Sequence, residues 1–228
     1  MQALQKKSYP YWMKHLNNHE IAYLKVVEEN VEKHFKNDTS GHNYDHIQRV
    51  VDLTTRLLVE GACIYTTYMI AYLHDMFDDK LDSPYANLSE VYAAWGLEKD
   101  EKFEAIEKGI LSIGYKGGFE HQTRSLEADI VSDADLLDAM GAIGIGRAFY
   151  YAGSKGQPFH ERSLEGVVST NYKEYRNLKR NVLAHFEEKL LKLKNEIVTQ
   201  RGKVIAVQRD EVLRRFYKQF KDELDGKK

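Results

Sequence analysis

The chain has one cysteine, Cys63, and only three prolines in 228 residues. A lone thiol excludes an internal disulfide framework. Set between Ala62 and Ile64, it reads as a buried thiol, because a nucleophilic cysteine needs an electropositive, accessible setting. So little proline, with fifteen glycines spread along the chain, leaves no stretch with the composition of a long linker. No signal peptide is expected at the start, where Lys6, Lys7, Tyr9 and Pro10 interrupt any apolar run. The longest uncharged stretches, such as Gly61 to Leu73, are too short to span a bilayer. The expected location is therefore a reducing cytoplasm, with no membrane partner. The formal net charge of −2 provides no broad basic surface, so stable nucleic-acid binding is not expected. The fifteen tyrosines are scattered through helical patterns and read as packing residues. No strand pattern and no internal repeat is present.

What remains is a helical chain. Hydrophobic content of 43% and charged content of 30% are ordinary for a globular protein. The length suits a single domain over 1–228, with a core at about 20–200 and helical extensions at both ends. Helices are predicted for 19–36, 45–60, 64–77, 88–95 and 102–112, for 123–132 and from 135 onward, then for 172–199 and 204–224. Ile47, Val50, Val51, Thr54, Leu57 and Leu58 recur at helical spacing. Ile64 to Phe77 is apolar nearly all round, the mark of a buried helix. Gly61 is expected to end the helix before it, and Gln200-Arg201-Gly202 to break the long C-terminal one. Glycines 141, 144 and 146 are spaced for close helix packing; the P-loop alternative lacks its strand and lysine. Loops are expected at 78–87, around Gly114, Gly117 and Gly118, and at 153–158. The architecture is all-α, a helical bundle.

The chemistry collects at His74-Asp75. The pair closes the buried 64–77 segment, and an unpartnered carboxylate there would be costly to desolvate. His46 stands upstream and Asp135 downstream. Two neutral imidazoles and two carboxylates form a donor set for a divalent cation. Mn²⁺ heads the choices, with Fe²⁺, Mg²⁺, Zn²⁺, Co²⁺ and Ni²⁺ as alternatives. Adjacent side chains on one helix diverge by about 100°. His74 and Asp75 can therefore meet on one ion only near a helix end or a distortion. Arg49 and Lys80 are candidates for binding phosphate, one as a fork and one as a point charge. Asp138, one turn after Asp135, is assigned to substrate contact, with orientation of a ligand histidine as its second reading. His42 is expected to precede the helix and not to ligate, and Arg147 reads equally as a helix cap.

The order His46, His74-Asp75, Asp135 resembles the HD-domain family of metal-dependent phosphohydrolases. Asp45-His46 before Arg49-Val50, Leu73-His74-Asp75, Asp79-Lys80 and Leu126-Glu127 ahead of Asp133-Ala134-Asp135 carry the likeness over roughly residues 20–200. Asn43 stands where that family often has Asp, and Leu136 where Arg is usual. The chain looks like the small bacterial subgroup that includes nucleotide pyrophosphohydrolases. The resemblance implies an all-α fold and hydrolysis of a small phosphorylated substrate. The expected reaction takes a nucleoside triphosphate to a monophosphate plus pyrophosphate. A nucleoside monophosphate phosphatase or a phosphodiesterase is the nearest alternative. It also implies an acidic residue that positions or deprotonates the attacking water, Asp78 with Asp79 as its rival, and a further histidine, His121, that could hold a second metal. No Gly-Tyr-Pro word follows the His-Asp pair, which disfavours cyclic dinucleotide cleavage. Two competing readings are a non-catalytic helical module, whose C-terminal helices dock a partner or a second copy as a homodimer, and a di-iron oxygenase.

Overall fold

The computed structural model describes residues 14–38, 41–77, 83–115, 123–161 and 181–227. Among them there is no strand, and no helix is long and apolar enough to cross a membrane. Seven helices come first: α1 (Asn18–Phe35), α2 (Tyr44–Leu57), α3 (Ile64–Leu73), α4 (Leu88–Trp95), α5 (Phe103–Ser112), α6 (Leu126–Asp138) and α7 (Gly141–Ser154). A short α8 (Val182–His185) then runs into a π turn (Phe186–Leu190) and a 3-10 turn (Leu193–Glu196), and α9 (Gln200–Leu224) closes the order.

The buried helix is the hub. Every residue of α3 from Tyr65 to Leu73 is buried, and α1, α2, α5 and α6 pack around it. Because α2 and α6 also pack on each other, the helices that carry His46 and Asp135 and the one that leads into His74-Asp75 form one mutually packed group. Side-chain caps set the starts of most helices. Asn17, Asn43, Asn87, Ser125 and Thr199 each accept a first-turn N–H of the helix they precede, which satisfies donors that have no helical partner.

Several boundaries differ from expectation for local reasons. The buried helix ends at Leu73, not Phe77. Past that point Met76 N–H bonds Leu73 O (3.0 Å) and the His74 ring bonds Ala71 O (2.9 Å), so i−3 contacts replace the helical ladder. The helix before it stops at Leu57, and Gly61 (φ +91°) serves the loop instead. No break occurs near 133, where α6 is continuous. Asp133 is tolerated in the core because its carboxylate accepts the N–H groups of Val198 (3.0 Å) and Thr199 (2.7 Å). Cys63 is half-buried at the cap of α3, its Sγ accepting from Thr66 Oγ1 (3.3 Å).

The long helix predicted over 172–199 is also replaced. Residues 172–180 lie outside the described residues, and 182–196 fold as short α, π and 3-10 turns. Phe186, Leu190, Leu193 and Ile197 are all buried, as their period requires, but Leu191 N–H reaches back five residues to Phe186 O (3.0 Å). Gln200-Arg201-Gly202 does not break a helix; it is the first turn of α9. Gly202 is needed there because a Cβ would lie 2.6 Å from Thr199 Oγ1 and 2.9 Å from Asp133 Oδ2. The loop expected at 153–158 begins later, since α7 runs through Gly153. Of the three spaced glycines, Gly141 meets Arg209 of α9 and Gly144 meets the Ala139 backbone, while Gly146 meets nothing within 4 Å.

Gly144→Ala would place a Cβ 2.1 Å from Ala139 O. It should destabilise the protein by about 2 kcal/mol or more, because backbone cannot yield as a side chain can. Gly153→Ala, with open space around it, should be neutral or stabilising by about 0.5–1 kcal/mol. Thermal or urea unfolding of the two variants checks both signs.

Candidate metal centre

His46 enters through the cap of α2. Asn43 Oδ1 accepts the His46 N–H (3.2 Å), so the Asn found where the family often has Asp caps the helix equally well. The His46 ring is fully buried, and its Nδ1–H points at Asp138 Oδ2 (2.8 Å). His74 stands just past the end of α3, with its Nδ1–H on Ala71 O (2.9 Å). Both Nδ1 atoms are thus committed as donors, which turns both Nε2 atoms toward one point and leaves them as the ring atoms that can ligate when neutral.

Those two Nε2 atoms face each other at 3.3 Å. Asp75 Oδ2 lies 3.2 Å from the Nε2 of His46 and 3.5 Å from that of His74. Asp135 Oδ1 lies 3.6 and 4.0 Å from the same two atoms. The two Nε2 atoms and one oxygen each of Asp75 and Asp135 therefore lie around one point. Atoms bound to one divalent ion at about 2.1 Å stand roughly 3.0–3.5 Å apart when adjacent, so the residues fit such an ion. Asp75 is buried, whereas the Asp135 side chain is 23% exposed, which puts the open side of the site at Asp135. Ending α3 at Leu73 lets the adjacent His74 and Asp75 turn to one point.

The electrostatics agree with a cation position. Burial raises the cost of ionising Asp75, but His74 and His42 hold its carboxyl well below the usual range. For His46, burial and Arg147 oppose protonation. Hydrogen bonds to Asp138 and Asp75 outweigh them and raise its pKa, so the protein without metal favours a positive charge at the same place.

Behind His46, Asp138 is 1% exposed. Oδ1 accepts Arg49 Nε (2.7 Å); Oδ2 accepts Arg49 Nη2 (3.1 Å), Arg147 Nη1 (2.9 Å) and His46 Nδ1 (2.8 Å). Asp138 is thus buried behind His46, a placement that suits its second reading, orientation of a ligand histidine, rather than its assignment to substrate contact. Arg147, read from sequence only as a candidate helix cap, joins this group: beyond Asp138 it also donates to Gly41 O (3.2 Å). His42, set aside in the sequence, has Nδ1 2.8 Å from Asp75 Oδ2; its spacing of four before His46 was the one signal for it. Leu136, where the family usually has Arg, is buried in the core. Asp78, Asp79, Lys80 and His121 lie outside the described residues.

Removing the Asp138 charge should cost stability in a pH-dependent way. Burial works against its ionisation, but hydrogen bonds from His46 and Arg49 and the charge of Arg147 hold its carboxyl far below the usual range. A depressed pKa contributes stability above the unfolded value of about 3.9, and that contribution is lost as pH falls below it. Asp138→Asn should lower metal-free stability near pH 7 by about 2–3 kcal/mol, the low end for a broken buried pair because the arginine side chains keep some solvent access. The gap should shrink below about pH 4; thermal melts in chelator from pH 7 to 3 test this.

No protein-family model matches the chain. It is similar to YpgQ of Bacillus subtilis (strain 168), 30% identical over 213 residues that span 91% of this chain and 96% of YpgQ. A solved structure from Lactobacillus plantarum, 33% identical, superposes with a TM-score of 0.78 over 90% of this chain and 98% of that one. Bacillus subtilis YpgQ in complex with ADP gives 0.69 at 28% identity, over 90% and 96%. An HD-superfamily hydrolase from Bacillus thuringiensis gives 0.66 at 30% identity, over 90% and 98%. Likeness in sequence and fold along nine-tenths of the chain, with His and Asp donors gathered in its interior, establishes that the chain belongs to the HD superfamily of metal-dependent phosphohydrolases.

Proposed function

We propose that the chain hydrolyses nucleotides, converting a nucleoside triphosphate to a monophosphate and pyrophosphate, with Mn²⁺ as its preferred ion. The convergence of the two Nε2 atoms with Asp75 and Asp135 is the observation that carries a hydrolytic metal site. The nucleotide is supported by the ADP complex of the YpgQ structure.

A bound divalent ion would lower the pKa of its water and polarise a phosphate oxygen. His46, His74, Asp75 and Asp135 are the residues that would hold it. Arg49 is 34% exposed along its side chain and uses Nε and Nη2 on Asp138; its Nη1 remains for a phosphate oxygen. Asp138 keeps the guanidinium of Arg49 in one orientation, which reduces the entropy lost on binding phosphate. Lys80 supplies a second positive charge in this reading. Asp78, with Asp79 as its rival, orients the attacking water or accepts its proton; the sequence sets both directly after the His74–Phe77 turns.

A panel of nucleoside tri-, di- and monophosphates incubated with Mn²⁺, with products separated by chromatography, tests the assignment. Pyrophosphate and monophosphate are the expected products. Release of single phosphates from monophosphates would move the chain to the phosphatase alternative, and no turnover of any phosphate compound would overturn the proposal. His74→Ala and Asp135→Ala should each lose metal and activity together, because one missing ligand leaves the shell incomplete. Asp78→Asn should keep its metal and slow turnover by about 100-fold or more. Elemental analysis beside the rate assay separates the two classes.

A further inference from the structure

The loop ahead of α2 brings a histidine to the centre that the four candidate ligands do not account for. Asp75 Oδ2, which His42 Nδ1 approaches to 2.8 Å, is the same oxygen that lies 3.2 Å from His46 Nε2 and 3.5 Å from His74 Nε2. It is the oxygen that faces the cation position. The ring of His42 is held there from its own backbone. The His42 N–H donates to Asp38 Oδ1 (3.0 Å). Gly41 adopts φ +89°, a conformation that other residues rarely take. Its carbonyl accepts Arg147 Nε–H (3.2 Å), and Asn43, the next residue after His42, caps α2.

Arg147 also donates through Nη1 to Asp138 Oδ2 (2.9 Å), the oxygen that receives the His46 ring. Polar contacts and one short stretch of chain, Gly41-His42, thus close a circuit around the cation position. It runs from Asp75 through His42 and Gly41 to Arg147, then through Asp138 to His46 and back.

We propose that His42 is a positioning residue for the metal centre: its Nδ1–H fixes the metal-facing oxygen of Asp75, and Arg147 ties the loop that carries it to the carboxylate behind His46. The proposal rests on the reading of His46, His74, Asp75 and Asp135 as ligands. Asp75 needs such a partner because it follows His74 directly, and neighbouring side chains naturally point about 100° apart. Beyond Leu73 the regular helix no longer sets its direction. His74 is steadied by Ala71 O and His46 by Asp138; His42 does the same for Asp75. Loss of an orienting partner of this kind weakens metal binding by about 10–100-fold.

Titration of the full metal-free chain with Co²⁺, followed by calorimetry and visible absorption, tests the proposal. His42→Ala should bind Co²⁺ about 10–100-fold more weakly than the wild type. His42→Asn should recover to within about threefold, because the Asn amide reaches the place of Nδ1 and donates the same hydrogen bond. Thermal melts without metal establish that each variant is folded. Wild-type affinity in His42→Ala would overturn the proposal. So would a His42→Asn variant as weak as His42→Ala, which would make the ring nitrogen itself a ligand. A wild-type chain that takes up no Co²⁺ would overturn the ligand set and this proposal together, so the two failures are told apart.

Discussion

Two imidazole nitrogens brought to 3.3 Å of each other beside two carboxylates are the constraint on which this structure turns. Each ring is oriented by a hydrogen bond on its far side, one to Asp138 and one to Ala71 O. Two carboxylates add negative charge at the same point. In a buried setting such repulsion is severe, and a divalent cation removes it. The packing of α2, α3 and α6 on one another holds these donors together before any ion arrives, which limits the ordering cost of binding.

The second organising element is Asp138. One buried carboxylate serves His46, Arg49 and Arg147, so it joins a candidate ligand, a candidate phosphate-binding arginine and the loop before α2. Loss of this group would leave buried positive charge without a partner as well as release His46. The arrangement makes phosphate recognition and metal binding share one support. Asp133 plays a comparable structural part nearby. By accepting the Val198 and Thr199 N–H groups it seats the start of α9 on α6, the helix that carries Asp135.

The fold was legible where local rules dominate. The α4 bounds, the buried character of α3 and the apolar face of α2 follow from period and hydrophobicity alone. The boundaries that escaped are those set by distant partners. The expected gap between 132 and 135 is absent because Asp133 is satisfied only by the distant chain near 198. Gln200-Arg201-Gly202 also looked like a break, although Gly202 is there to let Asp133 and Thr199 approach. The π turn at Phe186–Leu190 leaves no mark in an apolar spacing that an α-helix would satisfy as well.

For the site, residue type and order were enough to nominate His46, His74, Asp75 and Asp135, because few residues can hold a cation and a buried His-Asp pair demands a partner. Family resemblance suggested Asp78 as a water-directing residue, and its spacing of four from His74 put it near the pair. The order of residues could not give the direction of each side chain. Asp138 turned away from the open side, His42 turned toward Asp75, and Arg147 joined two segments more than ninety positions apart along the chain. The sequence by itself determined which chemical groups were present and that most of them would lie on helices. Tertiary packing alone decided which lone pairs meet, because hydrogen bonds across α2, α3, α6 and α7 orient each ring and carboxylate, and no local rule encodes them.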